Sequence, residues 1–229
     1  MSQKLILNKS MVILGFAGFF SALLVICAPP MSKGTFSNST LPDLFPGVLF
    51  GATISLGLWL SKTLDASWKM LAITAVSSVA LPTAALVCLG LEYFSPLPLH
   101  NQGKDLADVS NTALFVGGTV GAFLVLTIVL LLVGSGPPRT RVFAALCWSL
   151  VGGALGIVGW NLGPWLGMVL WSLQHSLNLT LPGDRFEYAL VQGRAGIYSL
   201  FLVWQTGMGL LVGLAVKQIL VSRHSESAA

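Results

Sequence analysis

Six side chains in this 229-residue sequence combine polarity with a position from which they could bind something: Asn161, His175, Arg185, Glu187, Arg194 and Gln205. The first five crowd into residues 161–194, and Gln205 lies inside an apolar run between Trp204 and Thr206. An imidazole, a carboxylate and two guanidinium groups are the equipment for handling a lipid head group, because histidine moves protons near neutral pH and arginine forks onto phosphate. Spacing works against an enzyme. Arg185 and Glu187 are two residues apart and do not share a helix face, and His175 is on a different segment. The six are therefore candidate ligand-binding residues, and no catalytic residue is assigned. Gln205 poses a separate question, since an amide in hydrocarbon needs partners. It either bonds across helices as structural glue, the commoner outcome, or faces a wet cavity.

Other chemistries leave no mark. The three histidines, His100, His175 and His224, are not at helical spacing from one another, which argues against paired haem or zinc ligation within a membrane. Neither a Gly-x-Ser-x-Gly elbow, a phosphate loop nor a His-Glu-x-x-His helix is present. No metal and no cofactor is expected. The middle third of every apolar segment lacks Asp, Glu, Lys, Arg and His, which counts against a proton-driven pump.

The elements that must position these residues follow from composition. The chain is 55% hydrophobic and 9% charged, with a mean hydropathy of +0.83, whereas an ordinary soluble domain is about 25% charged. It reads as an all-α, polytopic integral membrane bundle forming a single domain over residues 1–229. Six transmembrane helices are expected at about 11–28, 44–60, 70–91, 112–133, 142–160 and 195–216, each near the roughly 20 residues a helix needs to cross hydrocarbon. The first is read as a retained helix, because its apolar run is long for a signal core and "VICAPP" offers no small-x-small cleavage site.

Eight of the twelve Lys and Arg residues (Lys4, Lys9, Lys62, Lys69, Arg139, Arg141, Lys217, Arg223) fall on the side that holds both termini; Lys33, Lys104, Arg185 and Arg194 fall on the other. The positive-inside rule then places both termini in the cytoplasm, in a plasma or inner membrane. The net charge of +4 is a residue of that bias, and no nucleic-acid partner is implied. Membrane lipids are.

In "GWNLGPWLGMVLW", residues 159–171, Asn161, Gly163 and Pro164 combine weak helix formers with a proline that restricts the residue before it. The fifth crossing should end there. Residues 165–177 should then form a short amphipathic helix on the outer surface between helices 5 and 6, with Trp160, Trp165 and Trp171 at the interface. Asp184 and Glu187 stand in a capping-box relation for a further short helix closed by Gly193, so residues 161–194 form a structured outer loop. Asp105 and Asp108 should lie near the start of helix 4, where the macrodipole favours them.

Glycines supply the packing signal. Gly47 and Gly51, Gly117 and Gly121, Gly152 and Gly156, and Gly209 and Gly213 are each four apart on one face, where backbones can approach. Packing within the monomer is favoured over a homodimer interface. A short internal repeat aligns "LFPGVLFGA" from Leu44 with "LFVGGTVGA" from Leu114, matching Gly47 and Gly51 to Gly117 and Gly121. Pro82 in helix 3 frees a carbonyl among Ser77, Ser78 and Thr83, whose hydroxyls are expected to satisfy it. Cys27 and Cys88 lie near outer helix ends, more as small apolar thiols than as a disulfide. Asn38 and Asn178 stand in glycosylation sequons.

Three functions fit these residues. The first is a non-catalytic scaffold or accessory subunit of a membrane assembly, holding a membrane-protein partner. The second is a facilitator or channel for a small neutral or amphiphilic solute, lined by Gln205, Asn161 and the Pro82 break. The third is an interfacial lipid-modifying enzyme built on His175, Arg185, Glu187 or Arg194. The lack of buried charge favours the first.

Overall fold

The computed structural model describes residues 3–27, 44–94, 109–134, 136–176 and 194–226. All the regular secondary structure among them is helical: α1 (Gln3–Cys27), α2 (Phe45–Leu60), α3 (Ser67–Phe94), α4 (Asn111–Val133), α5 (Pro138–Ser176) and α6 (Arg194–Glu226). Four stretches are long and apolar enough to cross a membrane: Ser67–Leu91, Asn111–Val133, Pro138–Leu162 and Ser199–Gln218. The apolar parts of α1 and α2, Lys9–Val25 and Phe45–Leu60, are shorter. A helix pairs its own backbone groups along its length, which is what an apolar solvent demands.

Each helix packs antiparallel on its neighbour in sequence, and α6 returns to α1, closing a six-membered ring with a further contact between α4 and α6. Glycines set the register. A Cβ on Gly209 would strike the Leu14 carbonyl of α1, and one on Gly213 would lie 2.8 Å from Met11 Cα. On α5, Gly156 faces the Leu114 carbonyl of α4 at 2.9 Å, and Gly152 meets Ala122. Inside the ring, Leu14, Phe50, Ile54, Leu58, Ile73, Leu126, Met208 and Val212 are buried. Outside, apolar side chains recur along helix stripes, as in Val12, Phe16, Phe19, Phe20 and Leu23 on α1. This inversion of the soluble pattern suits a lipid surround.

The two short turns lie at one end of the bundle. After α2, the N–H of Lys62 bonds to the Trp59 carbonyl and that of Thr63 to the Leu58 carbonyl, both at 2.9 Å. Lys62 adopts φ 56°, so the helix closes in a Schellman motif. Lys69 then pairs with Asp65, and its hydrogen bond holds the Asp65 carboxyl below the usual carboxylate value. After α4, Arg141 Nη1 reaches back to the carbonyls of Leu131 at 2.8 Å and Gly134 at 2.9 Å. Each turn thus finds donors for carbonyls that a helix end leaves unpaired.

One expectation is overturned. α5 does not stop at Asn161: it runs unbroken for 39 residues, from Pro138 through Gly163 and Pro164 to Ser176. A separate surface helix at residues 165–177 is therefore absent. The physical reason lies in the neighbour of the proline. Pro164 removes one N–H donor, but the clash that drives the preceding residue from helical angles partly involves that residue's Cβ, which Gly163 lacks. Asn161 also turns its amide inward on the helix, with Nδ2 donating to the Ile157 carbonyl at 2.9 Å. Pro82 is likewise accommodated inside α3. The hydroxyls of Ser78 and Thr83 bond to Ala75 and Val79 rather than to the Ser78 carbonyl that a proline at position 82 frees. The start of α4 is capped by Ser110, whose side chain accepts from the Ala113 N–H at 3.2 Å; Asp105 and Asp108 lie outside the described residues.

Candidate functional site

The interior of the ring holds its most unusual chemistry on α6. Gln205 is 0% exposed, and neither Nε2 nor Oε1 has a hydrogen-bond partner among the described residues. The adjacent Trp204 Nε1 and Thr206 Oγ1 are in the same condition, as are Ser21 Oγ on α1 and Ser77 Oγ on α3. The glue reading of Gln205 requires a bond to another helix, and its amide makes none here.

Backbone register brings several of these groups to one level. A Cβ on Gly18 of α1 would strike the Gln205 carbonyl, so α1 and α6 touch there without an intervening side chain. Ser21 stands three residues above Gly18 on α1 and is buried. From the other side, the Trp204 ring meets Phe50 of α2 with centroids 5.8 Å apart and planes tilted by 49°. A Cβ on Gly51, next to Phe50, would lie 2.8 Å from Ser77 Cβ. Gly121 of α4 completes the circuit, where a Cβ would lie 3.4 Å from Trp204 Cζ2. Ser21, Phe50, Ser77, Gly121, Trp204 and Gln205 are thus linked, neighbour to neighbour, into a layer that draws on five helices.

Other buried serines are satisfied, although Thr119 Oγ1 and Thr127 Oγ1 on α4 also have no partner among the described residues. Ser55 Oγ donates to the Gly51 carbonyl at 2.6 Å, Ser149 Oγ to Leu146 at 2.7 Å, and Ser199 Oγ to Gly159 of α5 at 2.7 Å. A helical serine has such a carbonyl three or four residues back as a ready partner. Ser21 and Ser77 leave theirs unused, and in the layer they stand with the unpartnered amide of Gln205 and indole of Trp204.

The other candidates do not join it. Asn161 is exposed and binds Asn111 Oδ1 at 3.0 Å, tying α5 to the first residue of α4. It acts as a cross-link between helix ends. His175 lies in the last turn of α5 and Arg194 at the first residue of α6, with side chains outside the description; Arg185, Glu187, Asp184 and Gly193 lie outside the described residues altogether, as do Asn38 and Asn178. Cys88 packs 3.1 Å from the position of a Gly117 Cβ, on a helix that flanks α2 on the side opposite α1. All eight spaced glycines face neighbouring helices of the same chain.

Sequence reasoning finds Gln205 and Trp204 but passes over Ser21 and Phe50. The available signal was periodicity: Leu14, Gly18 and Ser21 share a face of α1, and a serine on a face otherwise reserved for packing is worth noting. No protein-family profile matches the chain, and no curated protein or solved structure shows significant similarity to it.

Proposed function

We propose that the protein is a non-catalytic component of a membrane assembly, crossing the bilayer six times with both termini on the cytoplasmic side of a plasma or inner membrane. The observation that carries this reading is the reach of α5. At 39 residues it is about 58 Å long, roughly twice the hydrocarbon thickness. Ser199 of α6 bonds to Gly159 of α5, and α6 begins only five residues earlier, at Arg194. Measured against the described residues, α5 therefore continues beyond its neighbour for roughly twelve residues, about 18 Å.

Where α5 runs past the other described helices it keeps an apolar stripe. Leu162, Trp165 and Val169 are 39%, 66% and 41% exposed, at helical spacing. This continues the lipid-facing line of Phe143, Leu150 and Val158 below. The reading commits to an apolar segment of a second membrane protein as the occupant, because the glycine faces that would suit a second copy are taken up inside the monomer. The clustering of Lys9, Lys62, Lys69, Arg139, Arg141 and Lys217 at the end that bears the short turns supports the orientation.

The test is native mass spectrometry of protein extracted in its own lipids, paired with a photo-crosslinking amino acid at position 165, 169 or, as a lipid-facing control, 71. A stoichiometric second polypeptide, trapped from 165 and 169 but not from 71, is the expected result. Lipid adducts alone at all three positions, or a cross-link between two copies of this chain, would sink the proposal. A second reading, passage of a small neutral solute, is favoured by one observation: the unpartnered amide of Gln205 in the ring interior.

A further inference from the structure

The layer around Gln205 has the composition of a binding site. Five buried polar atoms, Ser21 Oγ, Ser77 Oγ, Trp204 Nε1 and both side-chain heteroatoms of Gln205, have no partner among the described residues. A buried polar atom left unpaired is costly, so folded proteins give nearly all of them a partner, whether protein, water or ligand. Among the described residues Thr206 Oγ1 adjoins these five, whereas the unpartnered Thr119 Oγ1, Thr127 Oγ1 and Arg141 Nε lie elsewhere on α4 and α5. Ser55, Ser149 and Ser199 show that a buried serine of this bundle can find a carbonyl, which Ser21 and Ser77 do not.

The donor and acceptor inventory restricts the guest. Trp204 Nε1 can only donate, Gln205 offers two donors on Nε2 and an acceptor on Oε1, and each serine can do either. A partner must therefore both accept and donate. It must also be neutral: Lys9, Lys62, Asp65, Lys69, Arg139, Arg141 and Lys217, the described ionisable side chains on the ring, lie toward the end that bears the short turns, and no described Lys, Arg, Asp or Glu belongs to the layer. An ion would meet no counter-charge there. Phe50, buried and tilted against Trp204, supplies an apolar wall.

Helix lengths give the depth of the layer. α2 starts at Phe45, only five residues beyond Phe50, or about 7.5 Å. Ser77, beside Gly51, is followed by a further seventeen residues of α3, about 25 Å. The layer thus lies a turn and a half beneath the end of the shortest helix, at the end of the bundle opposite the short turns. From Ser21, Ser77, Trp204 and Gln205 we infer that this layer is a binding site for a small neutral molecule carrying both a hydrogen-bond donor and an acceptor, a primary amide or an alcohol in class, with water as the smallest member. The site belongs to the ring interior, independent of what α5 meets outside. A solute pathway would need it, but it does not need a pathway.

The test uses the full chain labelled with 5-fluorotryptophan in lipid nanodiscs. Its seven tryptophans give separate fluorine resonances, and that of Trp204 is the one missing from Trp204→Phe. Acetamide is the probe, and acetate, nearly the same shape but charged, is the control. A saturable shift of the Trp204 resonance with acetamide and not with acetate is expected, the other six resonances staying fixed. The half-saturation concentration should rise at least tenfold in Ser77→Ala, and the shift should vanish in Gln205→Leu. If Gln205→Leu fails to fold, Ser21→Ala and Ser77→Ala together carry the same test. A Trp204 resonance that responds to exchange of H2O for D2O, but not to acetamide, supports the site with water as its guest. No response to either, an equal response to acetate, or an acetamide shift that survives in Gln205→Leu or in the paired serine variants overturns it.

Discussion

The α2–α3 and α4–α5 hairpins open on nearly the same words, "LFPGVLFGA" and "LFVGGTVGA", yet their glycines do different things. In the first hairpin, Gly47 and Gly51 press α2 onto its own return helix: a Cβ on Gly47 would strike the Ser77 carbonyl, and one on Gly51 would lie 2.7 Å from Thr74 Cα. In the second, the matching Gly117 and Gly121 turn away from the return helix and pack on α3 instead, at Ala84, Cys88 and Ala80. α4 meets its own partner through Gly118, which faces Gly152 and Gly153 of α5. Helix α3 is thus gripped by glycine pairs from both sides. A glycine pair four apart announces that some backbone comes close, and it leaves open which one.

That comparison can be broken most sharply at the aligned positions. Gly47→Ala and Gly51→Ala drive a methyl group into α3 backbone, which cannot rotate away, and overpacking of this kind costs about 1–3 kcal/mol. Gly121→Ala comes closest to side chains, Ala84 Cβ at 3.1 Å and Trp204 Cζ2 at 3.4 Å, and meets backbone only at ordinary contact distance, the Ala80 carbonyl at 3.5 Å. It also gains helix propensity of about 1 kcal/mol. Thermal unfolding in a mild detergent should show a large drop in midpoint for the first two and a change near zero for the third. Equal losses at positions 51 and 121 would mean that α4 lies on α3 as tightly as α2 does, and that the hairpins are more alike than their contacts imply.

The same contrast explains what could and could not be read from the sequence. Helix positions were legible because apolar runs interrupted by charge are the dominant signal in such a chain, and α4, expected at 112–133, occupies Asn111–Val133. The run through Asn161, Gly163 and Pro164 was misread because helix breakers are ranked by their behaviour in water-exposed helices. Here the glycine before the proline removes part of the clash, and Asn161 finds partners in Ile157 and Asn111. Gln205 stood out as a polar residue in a span, but its surroundings depend on Ser21, Phe50 and Ser77 arriving from three other helices. Such a meeting is a property of ring order and register, and neither is written in any one segment.

The turns of the two hairpins differ as their glycines do, and Arg141 carries the larger share. Its guanidinium donates to both the Leu131 and Gly134 carbonyls, and hydrogen bonds to a charged donor are worth about 1.5–3 kcal/mol each, less where water competes. Arg141→Gln should therefore lower the unfolding midpoint of the bundle, and the amide exchange of residues near 130–134 should rise more than that near 58–62. Uniform exchange across both turns would show that Arg141 does not clasp the end of α4.

The smallest effect runs in the opposite direction, at Lys62. The α4–α5 turn places a glycine, Gly136, at φ 102°, where it is at ease; the α2–α3 turn places a lysine at φ 56°. A residue with a side chain loses roughly 1 kcal/mol in the left-handed region, whereas glycine visits it freely. The Lys62 N–H is engaged with Trp59 and survives the change, so Lys62→Gly should keep the Schellman motif while relieving that strain. Part of the gain is offset by the greater freedom of glycine in the unfolded chain. A small rise in midpoint is expected for Lys62→Gly, against a fall for Gly136→Ala, which forces a Cβ into the same region. If Lys62→Gly instead lowers stability, the lysine side chain contributes something at that turn that outweighs its backbone strain. The two hairpins would then differ in their surface chemistry as well as in how they close.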